Sequence, residues 1–305
     1  MAVAGPSTAS GGIGPAPHAG WIRRTAESLF SVLFPSDCRL DRLPLLNIAR
    51  LPACPDGLGL IEPIRRKVCS ICGERALSCD AVCDDGLRRC PVCRRVDRPF
   101  ERAVAYGSYD GGLRELVHLL KFHGVKPAAN VLGRMLGEAI VKLELGGKIG
   151  VIPVPLYRAT LGRRGFPPAE LIARAAIKVH PVRDQLQLFP DILERTRDTH
   201  SHIGLTSRQR RKDLRGAFSV ARAVEVTGRE VLLVDDVYIT GATASECARV
   251  LRRAGAAKVF VATVARTLKL ASKTEGFTVS EFQGFTEDLE SAEASEFEHL
   301  ETLQP

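Results

Sequence analysis

Long apolar runs are missing from this sequence. Nothing in it approaches the ~18–20 consecutive apolar residues that a membrane-spanning helix needs, which excludes an integral membrane protein of that kind. The first twenty residues are rich in Gly, Ala, Pro and Ser. They lack a cationic start and an apolar block, so no secretory signal is expected and a cytoplasmic location is. Cysteine is scarce over most of the chain: eight of the nine precede residue 94, and only Cys247 lies beyond. No internal repeat is present. What the sequence does have is enough apolar matter for a core, 45% over 305 residues, which excludes disorder throughout. That length suits about two domains of ~150 residues.

The net charge of +8 is unevenly spread. Residues 269–305 carry two lysines and nine acidic residues, a net of −7, while the rest carries 41 basic and 26 acidic residues, a net of +15. A basic body suits an anionic partner such as a phosphate, a nucleotide or nucleic acid. The acidic tail reads as a solvated end.

Clustered cysteines without an export signal point to a metal rather than to disulfides. Cys69-x2-Cys72 and Cys90-x2-Cys93 are separated by 17 residues. A two-residue gap lets both thiolates of a knuckle reach one tetrahedral ion, and two knuckles close its shell. The expectation is structural Zn2+ on Cys69, Cys72, Cys90 and Cys93, with no open position for catalysis. Cys79 and Cys83 lie between the pairs and are alternative ligands. Cys38-x2-Asp41 and Cys54-x2-Gly57 look like broken knuckles, and no second metal is expected there.

Four parts follow along the chain: a flexible tail at 1–20, an N-terminal helix (21–34) with the zinc-knuckle module at 21–100, a larger domain at 101–268, and the acidic tail at 269–305. In the larger domain, strands are expected at 102–109, 148–155, 231–237 and 259–266. Helices are expected at 113–122, 131–145, 168–180 and 243–254. Apolar strands alternating with helices predict an α/β fold with a mostly parallel sheet covered by helices.

The most informative segment is Val231-Leu-Leu-Val-Asp235-Asp236-Val-Tyr-Ile239-Thr240-Gly241-Ala242-Thr243. A buried strand delivers two acids at its carboxyl end, where ligands sit in open parallel sheets. A small-residue turn then opens a helix, whose exposed N–H groups favour a phosphate. Gly241 permits close approach of the backbone, and Thr240 and Thr243 add hydroxyls. Asp235 and Asp236 suit ribose hydroxyls. Thr243 also suits a plain helix cap.

This segment resembles the 5-phosphoribosyl 1-pyrophosphate (PRPP) signature of type I phosphoribosyltransferases. With the knuckles, the Tyr109…Leu116…Lys121-Phe122 block, Pro153-Val154-Pro155, Arg164-Gly165-Phe166…Ala169-Glu170-Leu171, Gly216-Ala217-Phe218 and Ala265-Arg266, the stretch from about 30 to 267 is similar to the competence protein F (ComF) family. The resemblance implies a type I phosphoribosyltransferase-like sheet preceded by a double zinc ribbon-like module. It implies that Asp235 and Asp236 hold the ribose hydroxyls and that Thr240, Gly241, Ala242 and Thr243 wrap the 5-phosphate. Leu156, Tyr157 and Arg158 would lie near the diphosphate, with Arg163 and Arg164 in reach. Mg2+ would be held mainly by the ligand's own oxygens. Four departures from the family pattern (Pro167-Pro168, Ile239, His202 and Asp213) weigh against efficient turnover and leave the phosphate cradle in place.

Arg195, Arg197, Arg208, Arg210, Arg211, Lys212 and Arg215 crowd one stretch. Without interleaved aromatics it is no stacking platform. It is a surface for nucleic-acid backbone or diphosphate, or simply a solvated face. His200 and His202 read as polar surface, Cys247 as packing against the sheet. Lys121 either complements its helix dipole or serves the site. The leading expectation is a protein binding Mg2+–PRPP or a phosphoribosyl nucleotide, with transfer to an unidentified acceptor. The resemblance also implies an alternative: handling of single-stranded DNA in natural competence beside a helicase-like partner, with a non-catalytic phosphoribosyl site. A structural adaptor is the third.

Overall fold

The computed structural model describes residues 37–45, 50–65, 67–75, 83, 86–198 and 207–268. The 1–20 tail, the helix expected at 21–34, Cys79, His200, His202 and the acidic segment lie outside them.

The strands are β1 (Arg102–Ser108), β2 (Ile149–Pro153), β3 (Leu186–Leu188), β4 (Leu193–Arg195), β5 (Phe218–Val220), β6 (Glu230–Tyr238) and β7 (Lys258–Arg266). Five of them form one sheet in the order β1-β7-β6-β2-β3, and every pairing in it is parallel. β4 and β5 form a separate antiparallel pair. The helices are α1 (Pro55–Gly59), α2 (Pro91–Arg95), α3 (Gly111–Lys121), α4 (Ala128–Val141), α5 (Arg158–Arg164), α6 (Pro168–Val179), α7 (Ser207–Leu214) and α8 (Ala242–Arg253).

The sheet separates two cores. Residues of β6 point alternately to opposite faces. Leu232 and Val234 join Leu116 and Leu120 of α3, Leu132 and Leu136 of α4 and Ile172 of α6. Val231 and Leu233 join Cys247, Ala248 and Leu251 of α8, Leu214, Phe218 and the four cysteines Cys69, Cys72, Cys90 and Cys93. Burial on both faces explains why Val231, Leu232, Leu233 and Val234 form an unbroken apolar run, each 0% exposed. In α3, Leu113, Leu116, Val117 and Leu120 recur at helical spacing and are all buried.

The expected fold class is the one observed: a parallel, helix-covered sheet preceded by a four-cysteine module. The strands and helices expected beyond residue 100 are present with ends shifted by a few residues. β3, the β4–β5 pair, α5 and α7 were not among the expectations. β3 has three residues, too few to show a period, and 22 residues including α7 separate β4 from β5.

One topological feature sets the site. From β2 the chain moves outward to β3, then returns to β6 on the other side of β2 and continues to β7. The strand order therefore reverses between β2 and β6, and it is beyond the carboxyl ends at such a point that open parallel sheets bind ligands.

Candidate phosphate site and metal centre

β6 delivers Asp235 and Asp236 to that point. The alternation that splits its apolar residues between two cores also splits the acids. Asp236 continues the face of Leu232 and Val234, where the Lys121 ammonium at the end of α3 lies 2.8 Å from its Oδ1. Tyr109 is buried behind this pair, its hydroxyl 3.1 Å from His118 Nε2. Burial alone would lower the Lys121 ammonium. Asp236, with Tyr109 and Asp235 behind it, outweighs burial and holds it above its ordinary value. Asp235 continues the other face, toward Arg195 and Cys247. Burial, and then the charge of Asp236, push its carboxyl up to about 7, against the opposing pull of Lys121. Its Oδ1 accepts a hydrogen bond from the Asp236 amide at 2.9 Å.

After Tyr238 the chain turns at Ile239, Thr240 and Gly241 into α8. Gly241 caps the helix at φ 72°, a left-handed conformation, and makes no side-chain cap bond. A Cβ there would be strained by that φ and would land on the Tyr238 hydroxyl. The position therefore demands glycine twice over. Because Gly241 is the cap, Thr243 is not, and the plain-cap reading of Thr243 does not hold. Thr240 Oγ1 accepts from the Ala242 amide at 3.3 Å, which tightens the turn and leaves its own hydrogen to donate outward. The resulting cleft, about 150 Å³, is lined by Asp235, Thr240, Gly241, Ala242, Thr243 and also by Arg195 and Arg210.

The four cysteines of the two knuckles converge. Cys69, Cys72, Cys90 and Cys93 are all buried, and their sulfurs lie within 4.8 Å of one another. A tetrahedral ion ~2.3 Å from each thiolate would set sulfur–sulfur edges of about 3.8 Å, and the Cys72–Cys90 separation is 3.7 Å. The donor set therefore fits a closed four-sulfur metal site. Cys83 is not one of the four. Gly73, at φ 72°, closes the first knuckle, its amide bonded to the Cys69 carbonyl at 2.9 Å. Cys38, Asp41 and Cys54, distant in sequence and read there as remnants, also come together within 4.8 Å. The Cys54 thiol donates to Asp41 Oδ2 at 2.7 Å, and the Cys54 amide donates to Cys38 Sγ at 3.2 Å.

No protein-family model matches the chain. It is 33% identical over 215 residues to DNA utilization protein YhgH of Escherichia coli O157:H7, covering 66% of this chain and 91% of that protein. It is 27% identical over 219 residues to competence protein F of Haemophilus influenzae, covering 68% and 94%. The chain belongs to the competence protein F (ComF) family. A further relative is competence protein ComFC of Bacillus subtilis, 25% identical over 206 residues, covering 65% and 76%. Among solved structures, glutamine PRPP amidotransferase from B. subtilis, complexed with ADP and GMP, aligns at 24% identity over 45% of this chain and 26% of that chain, with a TM-score of 0.29.

The remaining expected residues of this ComF chain lie on α5, α6 and α7 and on the turn before α5. The Val154 amide bonds to the Val234 carbonyl at 2.8 Å, so the turn at Leu156 and Tyr157 leaves the sheet beside the two acids. Tyr157 caps α5, which Arg158 opens and Arg163 and Arg164 close. The Arg164 guanidinium lies 5.7 Å from the centre of the Phe122 ring, next to Lys121. Pro167 and Pro168 occupy the cap and first position of α6, where a missing N–H is tolerated. Arg208, Arg210, Arg211 and Lys212 lie on α7. Arg211 and Lys212 are exposed, whereas Arg210 lines the cleft at the 240–243 turn. The basic stretch and the cleft are thus not separate places, which sequence spacing did not reveal. No helix of the described residues is long and apolar enough to cross a membrane.

Proposed function

We propose that this ComF protein binds magnesium–PRPP, or a related phosphoribosyl nucleotide, at the carboxyl ends of β2 and β6. The observation that carries this reading is the pair Asp235–Asp236 set directly before a glycine-capped helix start at the switch point of a parallel sheet. The turn at 240–243 would take the 5-phosphate, with Arg195 and Arg210 on the cleft wall. Asp235 and Asp236 would accept from the ribose hydroxyls, with Lys121 orienting Asp236. The turn at Leu156, Tyr157 and Arg158 would face the diphosphate, with Arg163 and Arg164 nearby. Mg2+ would neutralise diphosphate charge when bound. Transfer, where it occurs, would displace pyrophosphate at the anomeric carbon by a nitrogen nucleophile. The protein would contribute position and charge rather than a nucleophile of its own. The metal of the four-cysteine cluster is proposed to be zinc, since an all-thiolate tetrahedral shell suits it.

Calorimetric titration of magnesium–PRPP into the metal-loaded protein, beside Asp235→Asn/Asp236→Asn, tests this. Micromolar binding lost in the variant is expected. No binding at millimolar PRPP would overturn it.

A second reading, a role in handling DNA, is supported by relatives named for DNA utilization and competence; single-stranded DNA and a helicase-like partner are what the resemblance implies for it. Arg210 is unsuited to separate the two readings because it lines the cleft. Arg211→Ala/Lys212→Ala is the better variant. If DNA backbone binds α7, this variant flattens the salt dependence of DNA affinity and leaves PRPP binding unchanged.

A further inference from the structure

The four-cysteine cluster does not hang from the fold. Its cysteines share one core with Tyr238, Ala242, Ala244 and Cys247, the residues beneath the phosphate turn. Arg266, at the end of β7 and only 3% exposed, joins the two. One guanidinium nitrogen donates to the Cys72 carbonyl, and another donates to Glu74 Oε2 at 2.9 Å. The same guanidinium lies 5.0 Å from the centre of the Tyr238 ring. The Tyr238 hydroxyl is buried without a hydrogen-bond partner, at the spot a Gly241 Cβ would occupy. A second tie runs from Arg98, five residues past Cys93, to the Ser245 hydroxyl in the first turn of α8 at 3.2 Å.

We propose that Arg266 and Tyr238 are positioning residues that carry the closed state of the four-cysteine cluster into the 239–243 turn. The metal is then required for phosphate binding as well as for the module. This rests on the phosphoribosyl reading of that turn. The physical basis is that Arg266 has one position from which it can satisfy a knuckle carbonyl and a carboxylate and stack on a ring. If the knuckle opens, Tyr238 loses the plane that presses its hydroxyl against Gly241. Lysine cannot replace this, because an ammonium has no planar fork.

The test uses the full chain as wild type, Arg266→Gln, Arg266→Lys and Tyr238→Phe. A fifth sample is wild type stripped of metal, with the chelator removed before magnesium is added. Magnesium–PRPP affinity, metal content and amide hydrogen exchange of residues 239–245 are read together. Arg266→Gln and the stripped protein should bind PRPP about tenfold more weakly and exchange faster at 239–245, and Arg266→Lys should not restore either. Tyr238→Phe should keep its metal and still exchange faster in the turn. A metal-free protein that stays folded with unchanged exchange and affinity would overturn the proposal. Should the Arg266 variants or the stripped protein unfold, Tyr238→Phe decides alone, and unchanged exchange there overturns it. If wild type does not bind PRPP, the phosphoribosyl reading fails. The coupling is still judged by whether exchange at 239–245 responds to metal removal.

Discussion

The two faces of the sheet are built on different principles. The face covered by α3, α4 and α6 is mainly aliphatic, with Leu116, Leu132 and Ile172 fully buried, and apolar burial is its main source of stability. The face covered by α8 and the β4–β5 pair holds the four cysteines among its buried residues and ends at the 239–243 turn. The first is a scaffold whose stability depends on area. The second contains a cysteine cluster able to hold a metal ion and carries the backbone of the candidate site. The adjacent acids share this division: Asp236 meets a lysine on the scaffold face, and Asp235 meets the cleft on the other.

Substitutions on the two faces should therefore behave differently. Cys72→Ser removes one of four donors. Metal content measured by metal analysis should fall from one equivalent to none, with on the order of 5 kcal/mol lost in chemical unfolding. Retention of a full equivalent would erase the contrast. Leu132→Ala on the scaffold face should cost about 3 kcal/mol in the same unfolding measurement while metal content stays at one equivalent.

The acids sharpen the comparison through pH. The folded-state carboxyl of Asp235 lies near 7, above its ordinary value of 3.8. The folded protein therefore holds that proton more tightly than the unfolded chain. The associated stability is complete below about pH 4 and is lost as pH rises through 7. Urea unfolding should show a decline of about 4 kcal/mol across that range, absent in Asp235→Asn. An equal slope in both proteins would remove Asp235 as its source. The smallest effect is expected at Arg174, exposed on α6 and paired with Glu170 at 2.7 Å. Arg174→Ala should change stability by less than ~0.5 kcal/mol and leave metal content and ligand affinity alone.

Several of these residues were legible without a structure and others were not, for definite reasons. The knuckles declare themselves because metal geometry dictates a two-residue gap within each pair. The 231–243 segment declares itself because a doubly buried strand must be apolar throughout, so two acids at its end stand out. The role of Lys121 stayed open, since a cation at a helix end is also explained by the dipole. Arg210 stood in a basic stretch that read equally as a binding surface or a solvated face, because a local charge run says nothing about which one side chain turns inward. Cys38, Asp41 and Cys54 looked like remnants because their meeting depends on how the intervening loop folds back. Arg266 and Tyr238 stood in the sequence only as members of motifs; their contact gave no signal, as a buried arginine on a ring is defined only by its neighbours.

Local sequence thus determined what short-range physics controls: the parallel helix-covered class, the paired cysteines, and a strand ending in two acids before a small-residue turn. Only the tertiary structure decided that β6 lies beside β2, so that the chain reverses direction at the acids. It alone decided that Asp235 and Asp236 face different cores, that α7 brings an arginine to the cleft, and that the cysteine cluster shares a core with residues of the 238–244 segment. Periodicity and spacing act over a few residues, whereas strand order and burial are set by contacts between segments far apart in the chain.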